Sequence, residues 1–307
     1  DAADGRGSGQ VFELADFQEA AVRRASRILE SRRGAVIADS VGLGKTYVAL
    51  ALIERALREG RRVAVFTPAA LRREWTRALG RLRSRYGVTD AYGVTDAYGV
   101  SASHGAAARS HSDARATMPE NIAATLRCAP GAPVAAHHAP VSAPGSTASP
   151  PSDPPRSPFL AWVSHERLSR GTYPRARLEG LDLVVVDEAH AFRSPRTRRY
   201  RALAELCRGA RVLLLTATPV NNSVWDLYFQ LRLFAGDGDF RDVGVPDLKE
   251  AIRAAAEPTS AAPPTLLPVL REVMIRRTRP FLREHYGAIR TPGAPSPVRF
   301  PRRAAPA

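Results

Sequence analysis

The stretch Ala35-Val36-Ile37-Ala38-Asp39-Ser40-Val41-Gly42-Leu43-Gly44-Lys45-Thr46 decides the fold. Its first four residues are an unbroken apolar run, as in a strand buried on both faces. A glycine-rich turn follows, then Lys-Thr, then apolar residues at helical spacing. Strand, glycine turn, Lys-Thr and helix is the context of a Walker A phosphate loop. Gly42 and Gly44 let backbone N–H groups approach phosphate oxygens without a Cβ in the way. The helix N-terminus adds partial positive charge. In such a loop Lys45 reaches the β- and γ-phosphates of ATP and the Thr46 hydroxyl ligates Mg²⁺. Asp39 stands where the simplest form of the motif has glycine. Lys45 is one of only two lysines among 45 basic residues, the other being Lys249.

A second apolar run, Leu183-Val184-Val185-Val186, ends in Asp187-Glu188-Ala189-His190. Two adjacent carboxylates closing an apolar strand fit nucleotide hydrolysis. Asp187 would hold Mg²⁺ through its water shell, and Glu188 would orient and polarise the attacking water. A plain acidic turn at a strand end is the alternative.

Around these segments, strands are expected at Ala35–Ala38, Arg62–Phe66, Leu160–Val163, Leu181–Val186 and Arg211–Leu215. Helical patterns cover Phe17–Glu30, Thr46–Glu59 and Leu71–Leu79. Val224, Leu227, Tyr228 and Leu231 fall on one further helix face. Strands alternating with helices predict an α/β fold with a mostly parallel central sheet in a three-layer sandwich. Ligands of such folds bind at the carboxyl ends of the strands, where the unusual residues fall.

The chain has 307 residues, 44% of them hydrophobic, enough for a sizeable core. No run of 18 apolar residues exists, so no membrane-spanning helix is expected. The first ten residues hold no apolar stretch of the secretory kind, which places the chain in the cytoplasm by expectation. The first residue is not Met, consistent with a fragment. Cys128 and Cys207 are the only cysteines and lack metal-ligand spacing. The net charge is +15. Nearly all of the basic residues are arginine, so the excess reads equally as a polyanionic partner or as coding bias.

Four regions are expected: 11–86 and 159–285 as two parts of one lobe, 87–158 between them, and a Pro/Arg-rich tail at 286–307. In the insertion, Gly-Val-Thr-Asp-Ala-Tyr occurs at 87–92 and again at 93–98. The Ala/Ser/Pro/His stretch beyond it cannot bury a core, so disorder is expected there.

Taken together, Asp-Ser-Val-Gly-Leu-Gly-Lys-Thr, Asp-Glu-Ala-His and Leu215-Thr216-Ala217-Thr218-Pro219-Val220-Asn221-Asn222 follow the order of helicase superfamily two. They resemble the first RecA-like lobe of the Swi/Snf-type ATPases. Phe17-Gln18 is similar to that family's adenine-reading segment. Thr67-Pro68 with Leu71-Arg72-Arg73-Glu74-Trp75 resembles motif Ia. Ser164-His165-Glu166-Arg167-Leu168 and Met274-Ile275-Arg276-Arg277-Thr278 resemble the segments before the acidic strand and at the lobe's close. The resemblance implies ATP-driven movement along duplex DNA. By position it implies that Gln18 reads adenine and that Gly42, Leu43, Gly44, Lys45 and Thr46 cradle the phosphates. His190, Thr216 and Thr218 would couple nucleotide state to DNA grip. Pro68, Arg72 and Arg73 would meet the DNA backbone, although the two arginines also fit a solvated helix face. Trp75 reads as an aromatic packed on the core.

The family's hydrolysis also uses arginines of a second RecA-like lobe, in a Gln-x-x-Gly-Arg-x-x-Arg pattern. None of Gln10, Gln18 and Gln230 opens that pattern, so the 307 residues alone are expected to bind ATP and turn it over slowly. A non-catalytic ATP- or nucleic-acid-binding module and an RNA helicase lobe of the DEAH type are the alternatives.

Overall fold

The computed structural model describes residues 11–40, 42–88, 158–217, 223–257, 266–278, 281–282 and 286. Among the described residues, six strands form one sheet: β1 (Gly34–Ile37), β2 (Arg62–Thr67), β3 (Phe159–Ser164), β4 (Leu183–Val186), β5 (Arg211–Leu215) and β6 (Met274–Ile275). Their order is β3-β2-β4-β5-β1-β6, and every pairing is parallel. The first five lie where the sequence places them, with shifts of one or two residues at their ends.

Those shifts have local causes. β1 starts at Gly34, where any Cβ would lie 2.0 Å from the Phe234 ring, so only glycine lets that ring pack against the strand. β4 starts two residues later than Leu181, because Asp182 makes the cross-strand bonds from outside the ladder. Its N–H donates to the Arg62 carbonyl (2.8 Å), and its Oδ2 accepts the Arg62 N–H (2.7 Å).

Alternation along the strands sends side chains to two faces. Ala35, Ile37, Val63, Val65, Leu183, Val185, Leu213 and Leu215 pack against α1 (Asp16–Arg32), α2 (Lys45–Arg58) and α3 (Arg72–Tyr86). Val36, Ala64, Phe66, Val184, Val186, Val212 and Leu214 pack on the other face. There they meet α4 (His165–Arg170), α5 (Arg198–Leu206), α6 (Val224–Leu231), α7 (Leu248–Ala256) and α8 (Leu267–Val273). This is the RecA-like three-layer sandwich.

α3 runs seven residues past its expected end at Leu79. Leu82 continues the buried stripe of Trp75 and Leu79, and Gly87 ends the helix at φ +60°. The described residues belong to one compact unit formed by 1–96 and 154–307. The expected disorder of the insertion concerns residues almost all outside the described ones. Among the described residues no helix is long and apolar enough to cross a membrane.

Candidate nucleotide site

Three neighbouring strands, β4, β5 and β1, deliver the site at their carboxyl ends. The phosphate loop follows β1, Asp187 and Glu188 follow β4, and Thr216 follows β5 between them. The sheet fixes their register. Thr216 N–H donates to the Ile37 carbonyl (3.0 Å) and Asp187 N–H to the Phe66 carbonyl (2.8 Å).

The loop is shaped by glycine. Gly42 and Gly44 have φ of +84° and +75°. Gly44 is the N-cap of α2, and no side-chain hydrogen bond caps that end among the described residues; the N-terminus of a helix favours an anion. Leu43 is buried at 1% exposure and anchors the turn. Lys45 Nζ donates to the Asp39 carbonyl (2.9 Å), which folds the lysine back over the loop. Thr46 is half-buried on the first turn of α2.

Asp39, the departure from the simplest motif, has a structural role. Its carboxylate is fully buried and receives Arg277 through the backbone N–H (2.8 Å), Nε and the guanidinium terminus. Arg277 also donates to the Phe17 carbonyl and lies over the Phe17 ring. Ser40 N–H donates to the Arg277 carbonyl (3.2 Å). One buried arginine thus ties together the phosphate loop, the start of α1 and the residues after β6. The sequence flagged the Arg-Arg segment but not this role, because its partner lies 238 residues away.

Gln18 is buried, at 7% exposure. Its Oε1 accepts the Ala15 N–H (3.0 Å), capping α1, and its Nε2 donates to the Leu43 carbonyl (3.4 Å). A Cβ on Gly44 would lie 2.2 Å from that Nε2, so Gly44 also makes room for Gln18.

Asp187 is 6% exposed. Its Oδ1 accepts the Glu188 N–H (2.9 Å) and its Oδ2 the Trp75 Nε1–H (2.9 Å). Burial pushes its pKa up. The Trp75 and Glu188 donors and the nearby charge of Lys45 oppose that shift by favouring the carboxylate. Glu188 adopts a left-handed backbone (φ +51°), a conformation that costs a non-glycine residue about 1–3 kcal/mol and tends to persist at functional sites. Its Oε2 lies 3.0 Å from His190 Nδ1, and both side chains are partly open to solvent.

The oxygens on offer fit Mg²⁺: one hydroxyl, Thr46, and one buried, oriented carboxylate, Asp187. Mg²⁺ keeps most of its waters and takes its remaining ligands from phosphate, so it needs no protein cage. No group of three or more His, Cys, Asp or Glu side chains able to hold a metal occurs among the described residues.

Pro68, Arg72 and Arg73 lie together at the β2–α3 junction, with Pro68 and Arg72 half-buried and Arg73 exposed. Glu166 holds that junction by accepting the Ala69 N–H (3.1 Å). Trp162 Nε1 donates to Thr67 Oγ1 (3.0 Å). Thr216 is fully buried. Thr218 and the Pro-Val-Asn-Asn that follows lie outside the described residues.

Residues 163–286 match the model of the SNF2-related domain. No curated protein matches the chain. Among solved structures, the chain is similar to the Sulfolobus solfataricus SWI2/SNF2 ATPase core in complex with dsDNA. The TM-score is 0.56 at 17% identity, over 88% of this chain and 46% of that one. The Sulfolobus solfataricus SWI2/SNF2 ATPase core domain gives a TM-score of 0.52 at 16% identity, over 90% of this chain and 46% of that one. The chain therefore spans about half the length of these structures. The matched segment and the likeness to the solved structures agree with the motif order: residues 163–286 are similar to the SNF2-related domain, and the fold is that of the SWI2/SNF2 ATPase cores.

Proposed function

We propose that this lobe binds ATP with Mg²⁺ and, paired with a second RecA-like lobe, hydrolyses it to move along duplex DNA. The observation that carries the reading is the meeting of the loop at 42–46 and the Asp187-Glu188 pair at the ends of β1 and β4, which flank β5 with Thr216 at its end. Duplex DNA enters the proposal from the motif Ia resemblance and from the solved relative bound to dsDNA.

Each residue has a task in this reading. The N–H groups at the start of α2, with Gly42, Leu43 and Gly44, cradle the phosphates. Lys45 leaves the Asp39 carbonyl for the β- and γ-phosphate oxygens. Gln18 keeps one N–H and one lone pair beyond those its two bonds use, enough for the acceptor and donor edge of adenine. Thr46 and Asp187 hold Mg²⁺, which when bound neutralises charge on the phosphates. Glu188 orients the water for attack on the γ-phosphorus. His190, beside Glu188, and Thr216 and Thr218 after β5 carry the nucleotide state toward the DNA side. Pro68, Arg72 and Arg73 meet the phosphodiester backbone.

Steady-state hydrolysis, with the second lobe supplied in cis or in trans, tests this. Duplex DNA should stimulate turnover and RNA should not, and Glu188→Gln should remove the stimulated rate by about 10²-fold or more. Stimulation by RNA instead of duplex DNA would favour the RNA helicase reading. Equal rates in Glu188→Gln would remove that residue from the chemistry.

A further inference from the structure

Trp75 reads from sequence as a core aromatic, and its burial agrees: it is 1% exposed among the apolar residues between α3 and the sheet. Its one polar atom does something packing does not require. Nε1 donates to Asp187 Oδ2 at 2.9 Å, across 112 residues of sequence. A buried indole N–H needs some acceptor, and Trp162 on β3 uses a threonine hydroxyl. Trp75 uses the carboxylate at the head of the acidic pair.

The consequence is geometric. Asp187 Oδ1 is held by the Glu188 N–H and Oδ2 by the indole, so one donor sits on each oxygen and the plane of the carboxylate is fixed. Each oxygen keeps a further lone pair. Lys45 lies close enough to act on the same carboxylate electrostatically. Without the indole donor, Oδ2 would be free to turn toward that ammonium. The resulting ion pair would have to break before Mg²⁺ and nucleotide could use either group.

We propose that Trp75 is a positioning residue for the metal-binding carboxylate, holding Asp187 in the orientation that receives Mg²⁺ and linking α3 to the hydrolytic site. The role rests on the nucleotide-site reading above. It differs from packing in one respect: volume can be supplied by any large apolar side chain, whereas the hydrogen bond needs the indole N–H.

The test is binding of a fluorescent ATP analogue titrated against Mg²⁺ in the wild type, Trp75→Phe and Asp187→Asn. Trp75→Phe keeps an aromatic ring and deletes the donor. It should raise the half-saturating Mg²⁺ about tenfold, the scale of losses when a group orienting a metal ligand is removed. Its affinity for the analogue in EDTA should stay within about twofold of wild type, since phosphate contacts to the loop are untouched. Asp187→Asn should show a Mg²⁺ shift at least as large. A wild-type Mg²⁺ midpoint in Trp75→Phe, with Asp187→Asn shifted, overturns the positioning role and leaves the site intact. An unshifted Asp187→Asn overturns the site assignment itself. If Trp75→Phe does not fold, benzothienylalanine at position 75, with sulfur in place of the N–H and the same ring shape, makes the same comparison. An unchanged midpoint there is equally decisive against the proposal.

Discussion

At His165, on the first turn of α4, an ionisable ring is packed edge-on against Phe192 with centroids 4.8 Å apart. Burial lowers its pKa to about 4, outweighing a backbone hydrogen bond at Phe66 and the Glu166 carboxylate, which both favour the cation. Because the folded value lies below the ordinary 6.5, the folded state binds fewer protons than the unfolded one in between. The stability from the neutral ring is therefore complete above about pH 6.5 and falls away as the pH drops through about 4. The full swing is roughly 3 kcal/mol. Denaturant melts at pH 7 and pH 4.5 should show a smaller pH loss in His165→Phe than in the wild type. Equal losses would mean that the ring is not held neutral. Sequence alone marked the Ser-His-Glu-Arg-Leu segment without revealing this, since the ring's surroundings come from Phe192 and β2.

At the scale of elements, the ion pair between Asp39 and Arg277 joins the loop after β1 to the residues after β6. Both partners are buried, so removing one strands the other's charge, a loss of about 3–5 kcal/mol. Asp39→Ala should lower stability by that amount in a denaturant melt. The double variant Asp39→Leu with Arg277→Met should recover much of it. A double variant as unstable as the single one would place the cost in packing instead of charge. The elements differed in how openly the sequence declared them. β1, β2, β4 and β5 are apolar runs of four or more residues and were legible from composition and flanking motifs. β6 is two residues long and exists because Val36 and Ile37 offer it a ladder. The last two turns of α3 were hidden by Gly80 and a run of arginines around Leu82. Lys45, Asp187 and Glu188 were legible because residue type and place at a strand end coincide. The bonds from Trp75 to Asp187 and from Arg277 to Asp39 were not, because each joins residues more than 100 positions apart.

For the whole molecule, the net charge of +15 raises the local concentration of any polyanion, nucleotide and DNA alike, and so cannot by itself distinguish them. Polar and charged groups gather in two places: a lysine, a hydroxyl and a buried carboxylate at one edge of the sheet, and arginines at the β2–α3 junction beyond it. We propose that the first group is a Mg²⁺-dependent ATP site. Titrating a fluorescent ATP analogue into the wild type and Lys45→Ala, with and without Mg²⁺, measures it directly. Saturable binding strengthened by Mg²⁺ is expected in the wild type and its loss in Lys45→Ala, with both proteins melting at similar temperatures. Equal affinity in the two proteins, or binding indifferent to Mg²⁺, would contradict it.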